Sequence, residues 1–465
     1  MPARAVLLGL FALGVQGSPI ALNLKLFSAG NAAAGAVCND GSPGGYYFAQ
    51  GTAGSDSFLV HLPGGGQCWD LATCAARWGP SGSSLMSTQG APATVSIGGI
   101  FDNDASTSPL ASFHKASLVY CSSDGYMGNV AASPATGGYS FRGRVLVETM
   151  LRQLVAHHNL SSTSTVVFAG TSAGARGVMV LVDLLVSRQR FPAGARIAAF
   201  LDSPFWVDMP TPSWSSFPGF LFEERSKAAL YNTTADGAEV SVACVAHYHL
   251  DGSAAVPVSR AEAAARCMMG QYRMPFVQTP YLLVASQFDT YQLGQYVGSG
   301  GGGGASVGEF QAALAIKTRA LLVDLATSNA GVATANQHRA VFSWTRADHA
   351  VSCSSSDFST ASSSSGVTQA QALAAFLNSN PYLTVGAGFG PVTQTAAPAA
   401  FAWIDECSSC LPAGLFEPTP ASYYTTFVIA LVVSVLGVAS VAGGVAAWLL
   451  KRRRFLEGGR WANSK

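Results

Sequence analysis

Val166 to Val180, VVFAGTSAGARGVMV, decides how this 465-residue chain is read. Val166-Val167-Phe168-Ala169 is short, β-branched and apolar, as a strand buried on both faces would be. Gly170-Thr171-Ser172-Ala173-Gly174 follows at once, and Val178 to Val186 then recurs at helical spacing. Strand, G-x-S-x-G and helix together describe a sharp turn that lifts a serine hydroxyl clear of a sheet. The backbone at such a serine is strained, so the residues two before and two after it must be small. The helix that follows offers its positive end to a developing negative charge.

Outward from that turn, strands and helices alternate as in a largely parallel α/β sheet. Upstream, Ser57 to Leu62 is a strand that empties into Pro63-Gly64-Gly65-Gly66-Gln67-Cys68. Consecutive glycines after a strand leave main-chain N–H groups bare toward a substrate oxyanion, the arrangement used by α/β-hydrolases. Cys68 and Cys74 are close enough to staple this loop. Leu118 to Gly125 reads as a strand and polar loop, and Tyr139 to His158 as a helix. Cys38 to Phe48, with Asn-Asp-Gly and Pro-Gly-Gly, reads as a hairpin.

Downstream, Ile197 to Asp202 is the next apolar strand. Residues 209–275 lose the alternation and are rich in Trp, Phe, Tyr and Met, so they read as a lid-like insertion. Pro280 to Ser286 is a strand with Asp289 at its end. A low-complexity loop (Gly298 to Gly304) and a helix (Glu309 to about Ala326) follow. Ala340 to Trp344 is the last strand expected, with His349 just beyond it.

A serine hydroxyl needs a base within hydrogen-bond reach, commonly histidine, and a carboxylate to fix its tautomer. In α/β-hydrolases these come in the order Ser, Asp/Glu, His, each at a strand end. Ser172, Asp289 and His349 satisfy order and position. Asp202 and Asp208 are the rival acids, but they follow the strand next after that of the nucleophile. His61 lies on the glycine-loop strand and reads as packed or surface. Asp348 points away from its neighbour His349 if the backbone is extended. No metal is expected: H-E-x-x-H is absent, and His247-Tyr248-His249 has no third ligand at helical spacing. No phosphate-binding loop or other cofactor signature appears.

The ends set the compartment. Residues 1–17 carry Arg4, an apolar run and small residues at Val15-Gln16-Gly17, the pattern of a signal peptide. Residues 427–450 are uncharged, about 36 Å as a helix at roughly 1.5 Å per residue, against a hydrocarbon core of roughly 30 Å. Lys451 to Arg454 follow, and such cations stay cytosolic. The expectation is a single-pass type I membrane protein of the secretory pathway. Its main domain (34–410) would be extracellular or lumenal, with a stalk (411–426), one span (427–450) and a basic tail (451–465). Of 26 Lys+Arg, Arg4 and six residues beyond 450 lie in the terminal segments, leaving 19; of 25 Asp+Glu only Glu457 does, leaving 24. The region between is therefore near −5, which argues against nucleic acid as a partner. All nine cysteines lie in that region, an odd count that leaves one free or paired between chains. Asn159 and Asn232 begin glycosylation sequons. No feature of the sequence fixes an oligomeric state.

With these residues in view, the chain resembles the pectin acetylesterase/Notum family of secreted carboxylesterases over roughly residues 34–410. The matching blocks are Cys38 to Tyr47 (CNDGSPGGYY), Gly64 to Cys68 (GGGQC), Tyr120 to Asp124 (YCSSD), Gly170 to Gly174 (GTSAG), Asp202-Ser203, Phe288-Asp289 with Gln292-Leu293, and Asp348-His349. The resemblance implies an α/β-hydrolase fold: a mostly parallel central sheet flanked by helices. It implies Ser172, Asp289 and His349 as a triad, with an oxyanion hole from the N–H groups of Gly65, Gly66 and Ala173. It also implies disulfides Cys38–Cys121 and Cys68–Cys74, and no cofactor. Members remove acetyl groups from pectin or, in the Notum branch, a palmitoleoyl group from a serine of Wnt proteins. An acylated polysaccharide or an acylated protein is thus the expected substrate, with an inactive surface-binding domain as the contrasting possibility. Three departures bear on substrate. Gly66-Gln67 stand where the family often has Trp, Ala175, followed by Arg176, stands for the second glycine of the usual S-A-G-G, and Pro204 follows Asp202-Ser203. A membrane span also departs from a freely secreted form.

Overall fold

The computed structural model describes residues 19–233, 241–250, 258–298, 304–327, 339–360, 363–379 and 401–406. These belong to one compact unit, Met1–Leu411. The expected leader, stalk, membrane span and basic tail all lie outside the described residues. Among the described residues, no helix is long and apolar enough to cross a membrane.

The described strands are β1 (Ile20–Leu26), β2 (Gly45–Ala49), β3 (Ser57–Leu62), β4 (Thr94–Ile97), β5 (His114–Leu118), β6 (Thr165–Thr171), β7 (Arg196–Asp202), β8 (Tyr281–Ser286), β9 (Arg339–Trp344) and β10 (Phe401–Ile404). They form one sheet in the order β10-β9-β8-β7-β6-β3-β5-β2-β1-β4. Pairing is parallel from β10 across to β5, and antiparallel beyond it through β2, β1 and β4.

The continuous apolar run of β6 follows from burial on both faces. Successive side chains of a strand point to opposite sides, so Val166 and Phe168 enter one core while Val167 and Ala169 enter the other. Strand β8 divides the same way, with Leu283 on the first side and Leu282 and Val284 on the second. Helices Gly143–His158 and Ala173–Ser187 contribute to the first core, and Gln369–Ser379 to the second.

The chain adds β7, β8 and β9 successively on one side of β6, whereas β3 and β5 lie on the other. The strand order therefore reverses between β6 and β3, where an open α/β sheet leaves a crevice beyond its carboxyl ends. Ser172 leaves β6 at that point.

Several elements differ from the sequence expectation. Strand β5 ends at Leu118, so Tyr120 to Asp124 is loop. The turn at 38–43 is closed by a single bridge, Val37 to Pro43, and β2 pairs instead with β1 and β5. The sheet begins at Ile20, ahead of residue 34. Residues 209–275 contain helices Phe220–Leu230, Val242–Leu250, Arg260–Arg266 and Gly270–Arg273, tied by a third disulfide, Cys244–Cys267. At the far edge β10 adds to β9, and Asp405 just past it is a knot of bonds. Its N–H donates to Ser343 O at 3.0 Å, and its carbonyl accepts from Gln287 Nε2 at 2.8 Å and Arg319 Nε at 3.0 Å. Its carboxylate accepts from Ser364 N at 2.7 Å and Thr345 N at 3.3 Å.

Candidate active site

Ser172 stands between β6 and the Ala173–Ser187 helix with φ 52° and ψ −120°. A side chain other than glycine rarely takes this conformation, and it persists only when the surroundings over-determine it. The restraint is visible on both sides. A Cβ on Gly174 would meet Leu62 O at 1.8 Å, and one on Gly170 would meet Ala175 N at 2.5 Å. Ser172 N donates to Asp202 O at 2.8 Å, which ties the turn to the end of β7.

The fold brings Asp289 and His349 to the same point. His349 Nε2 lies 2.7 Å from Ser172 Oγ, and His349 Nδ1 lies 2.8 Å from Asp289 Oδ2. The tautomer protonated on Nδ1 satisfies both contacts: it donates to the carboxylate and accepts from the hydroxyl. Asp289 caps the Thr290–Val297 helix, its other oxygen accepting from Gln292 N at 2.8 Å, so its carboxylate cannot swing away. Tyr291 stacks on the imidazole at 5.1 Å between centroids. Burial disfavours the imidazolium, but the hydrogen bond and charge of Asp289, with a smaller contribution from Asp202, outweigh it. They hold the His349 pKa above its ordinary value of 6.5.

The rival acids have other work. Asp202 is fully buried, and its carboxylate accepts from Ser352 N at 2.8 Å and Ser203 Oγ at 2.9 Å. Ser203 Oγ accepts in turn from Ala350 N at 3.0 Å, so this pair clamps the loop that carries His349. Burial raises the Asp202 pKa against these hydrogen bonds. Asp208 accepts from Tyr272 OH at 3.0 Å in the insertion. Asp348 faces Trp344 Nε1 and Arg346 rather than the serine. His61 is buried, bonded to Ser117 Oγ at 3.2 Å, and its pKa is pushed down to about 3 by burial.

The glycine loop lies directly over the serine: a Cβ on Gly64 would sit 2.9 Å from Ser172 Cβ. Gly64 N donates to Thr171 Oγ1 at 3.0 Å. Three of the loop's carbonyls are held: Pro63 O by Tyr126 OH at 2.9 Å, Gly65 O by Arg77 Nη2 at 2.6 Å, and Gly66 O by Tyr120 OH at 2.6 Å. Among the described residues, the N–H groups of Gly65, Gly66 and Ala173 donate to no protein acceptor. Cys68–Cys74 closes the loop, and Cys38–Cys121 ties the 38–43 turn to the segment carrying Tyr120.

Beneath the loop, one turn past Ser172, Arg176 is wholly buried. It pairs with Glu224 at 2.7 Å, donates to Gln67 Oε1 at 2.6 Å and Met268 O at 2.8 Å, and lies 3.9 Å from the ring centre of Trp206. Lys227 joins Glu224 at 2.8 Å and Glu223 at 3.1 Å. In the sequence Arg176 simply follows the departure at Ala175, and nothing there signals partners in a distant insertion.

Asn159 and Asn232 are both exposed, at left-handed positions with φ 61° and 53°. Cys353 is the free cysteine among the described residues, and Cys407 and Cys410 lie outside them. No cluster of His, Cys, Asp or Glu that could hold a metal occurs among the described residues.

A family model described as pectinacetylesterase matches residues 18–384. The chain belongs to the pectinacetylesterase family. Pectin acetylesterase 11 of Arabidopsis thaliana is 25% identical over 264 residues, covering 56% of this chain and 61% of that protein. Palmitoleoyl-protein carboxylesterase notum2 of Xenopus laevis is 32% identical over 175 residues, covering 37% of this chain and 35% of that protein. The chain thus spans between about a third and three fifths of these curated relatives. The structure of the Wnt deacylase Notum from Drosophila superposes with a TM-score of 0.63 at 20% identity, covering 77% of this chain and 93% of that one. That likeness shows the fold, a Notum-like α/β architecture with a mostly parallel sheet flanked by helices.

Proposed function

We propose that this pectinacetylesterase-family chain is a serine carboxylesterase that removes acetyl groups from an extracellular or lumenal polysaccharide. The observation that carries the proposal is the line Ser172 Oγ, His349 Nε2, His349 Nδ1 and Asp289 Oδ2, with contacts of 2.7 and 2.8 Å. In this reading Ser172 Oγ attacks the acyl carbon as His349 Nε2 takes its proton. The carbonyl oxygen gains the displaced electron pair and is met by the N–H groups of Gly65, Gly66 and Ala173. As the intermediate collapses, His349 returns the proton to the departing sugar oxygen, leaving an acyl-serine. Water then repeats the sequence: its proton goes to His349, its oxygen to the acyl carbon, and Ser172 leaves re-protonated with acetate as product. Asp289 holds the imidazole tautomer and balances its transient charge.

Acetyl-polysaccharide is favoured because the pectin acetylesterases align over more of this chain than the Notum proteins do, 56% against 37%. Removal of a fatty acyl group from a protein is the second reading, supported by the higher identity to notum2. The leader-like pattern of residues 1–17, the uncharged stretch 427–450 and the exposed Asn159 and Asn232 of the two sequons support reading it as a glycosylated type I membrane protein acting outside the cytosol. Purified full-length protein should hydrolyse p-nitrophenyl acetate, and Ser172→Ala should abolish it. Undiminished hydrolysis by Ser172→Ala would defeat the proposal, and inactive wild-type protein would point to a surface-binding domain.

A further inference from the structure

Resting on the esterase reading above, we propose that Arg176 is the residue that limits the acyl group to a short chain. Arginine is among the side chains least often fully buried, yet Arg176 is 0% exposed one helical turn from the nucleophile. Its four partners come from three separate segments of the chain. Gln67 belongs to the glycine loop, Trp206 follows the Asp202-Ser203 corner, and Glu224 and Met268 belong to the insertion. Trp206 also stacks on Tyr291 at 5.3 Å, and Tyr291 on His349 at 5.1 Å. Arg176, Trp206 and Tyr291 therefore form a continuous chain of contacts from the His349 imidazole to Gln67 of the glycine loop.

The tetrahedral intermediate has four substituents, and three have assigned directions. One is Ser172 Oγ; the oxyanion faces the glycine-loop amides; the departing oxygen faces His349 Nε2, its proton donor. In this proposal the acyl substituent takes the remaining direction, and the wall of Gln67, Arg176 and Trp206 closes it. Of all acyl groups, acetyl with its single methyl makes the smallest demand on that space. A longer chain must displace a guanidinium held by a carboxylate, an amide oxygen, a main-chain carbonyl and an indole face. The gain from burying each added methylene is much smaller than the cost of breaking a desolvated ion pair. Lys227, 5.2 Å from the ring centre of Trp206, adds a second buried cation to the same wall. A fatty-acyl pocket requires apolar lining, and this wall is ionic.

The test is a chain-length series on the full-length protein: kcat/KM for p-nitrophenyl acetate, butyrate and octanoate. Wild-type protein should favour acetate over octanoate by about 100-fold or more, the order a closed pocket imposes. Arg176→Ala combined with Glu224→Gln should narrow that ratio by about 10-fold or more, within the range of one or two pocket methylenes. Arg176→Met, which keeps bulk and removes charge, should narrow it in the same direction by a smaller factor. A ratio is read within one preparation, so partial misfolding of a variant cancels, and Arg176→Met serves if the double variant fails to fold. Octanoate cleaved by wild-type protein as fast as acetate would overturn the inference, as would an unchanged ratio in the variant that folds. These failures are distinct from failure of the esterase reading, which requires Ser172→Ala to remain active.

Discussion

Asp202 Oδ2 accepts the main-chain N–H of Ser352 at 2.8 Å, so an acid on the strand beside the nucleophile holds the loop bearing His349. The same residue's carbonyl accepts Ser172 N at 2.8 Å. One residue thus fixes the His349 loop through its side chain and the Ser172 turn through its backbone. Ser203 extends the clamp to Ala350 N. Ser203→Ala should therefore lower kcat by about 10-fold with KM little changed, because a displaced base costs rate rather than binding. Steady-state kinetics with p-nitrophenyl acetate measure it, and an unchanged kcat would show that the clamp is dispensable.

The pH profile follows from the surroundings of His349. Only the neutral imidazole can accept the Ser172 proton, and its pKa is held above 6.5 chiefly by Asp289 against the effect of burial. Activity should then fall as pH drops through a value above 6.5. Asp289→Asn removes the charge while burial persists, so the acidic limb should move below 6.5 as kcat falls steeply. Stability carries the opposite sign: a raised histidine pKa stabilises the folded state most below about 6.5, and that contribution is lost as pH rises through the folded value. Profiles of kcat/KM and of Tm against pH would separate the two effects.

Two glycines should fail in different ways. Gly174→Ala places a methyl 1.8 Å from Leu62 O, a main-chain atom that cannot move aside, and should cost more than about 4 kcal/mol, enough to prevent folding. Gly64→Ala places its Cβ 2.9 Å from Ser172 Cβ on a half-exposed loop. That Cβ also meets Thr171 O, a main-chain atom, at 2.9 Å, so the loop must shift: Tm should fall by less than for Gly174→Ala, while kcat/KM drops by about 100-fold, as a displacement of about 1 Å at reacting groups does. Circular dichroism and kinetics on the pair distinguish packing from geometry.

The disulfides should divide similarly. Cys38–Cys121 closes a sequence separation of 83 and Cys68–Cys74 one of 6. On loop-closure entropy, losing the first costs about 4–5 kcal/mol and the second about 2–3 kcal/mol. The short bridge nonetheless adjoins the glycine loop, so Cys68→Ser with Cys74→Ser should reduce kcat more than Cys38→Ser with Cys121→Ser does in the fraction that remains folded. Denaturant titration and active-site-normalised rates test both halves.

The turn around Ser172 was legible because its steric demand is local: Gly170 and Gly174 are small for reasons that a strand-turn-helix sequence already displays. Asp289 and His349 were reachable because parallel strands deliver their ends to one rim, so a residue just past an apolar run has a known address. What stayed hidden depended on tertiary pairing. Glu224 and Arg176 share no local pattern, and Asp202 has the same strand-end position as Asp289, so only the fold separates a clamp from a partner of the imidazole. Strand β1 alternates as Ile20, Leu22, Leu24 and Leu26, but directly after the apolar leader that alternation reads as a continuation. Strand β10 has four residues beyond an Ala-rich segment, too few to show a period.

That last edge has a practical side. Family similarity stops at residue 384, yet the sheet does not. A chain terminated there would strip β9 of its neighbour, presenting a bare row of amides and carbonyls open to other molecules. It would also leave the Gln287 side chain without its acceptor, two residues from Asp289. Such a fragment should precipitate on expression, so recombinant production of the sheet domain belongs beyond residue 406.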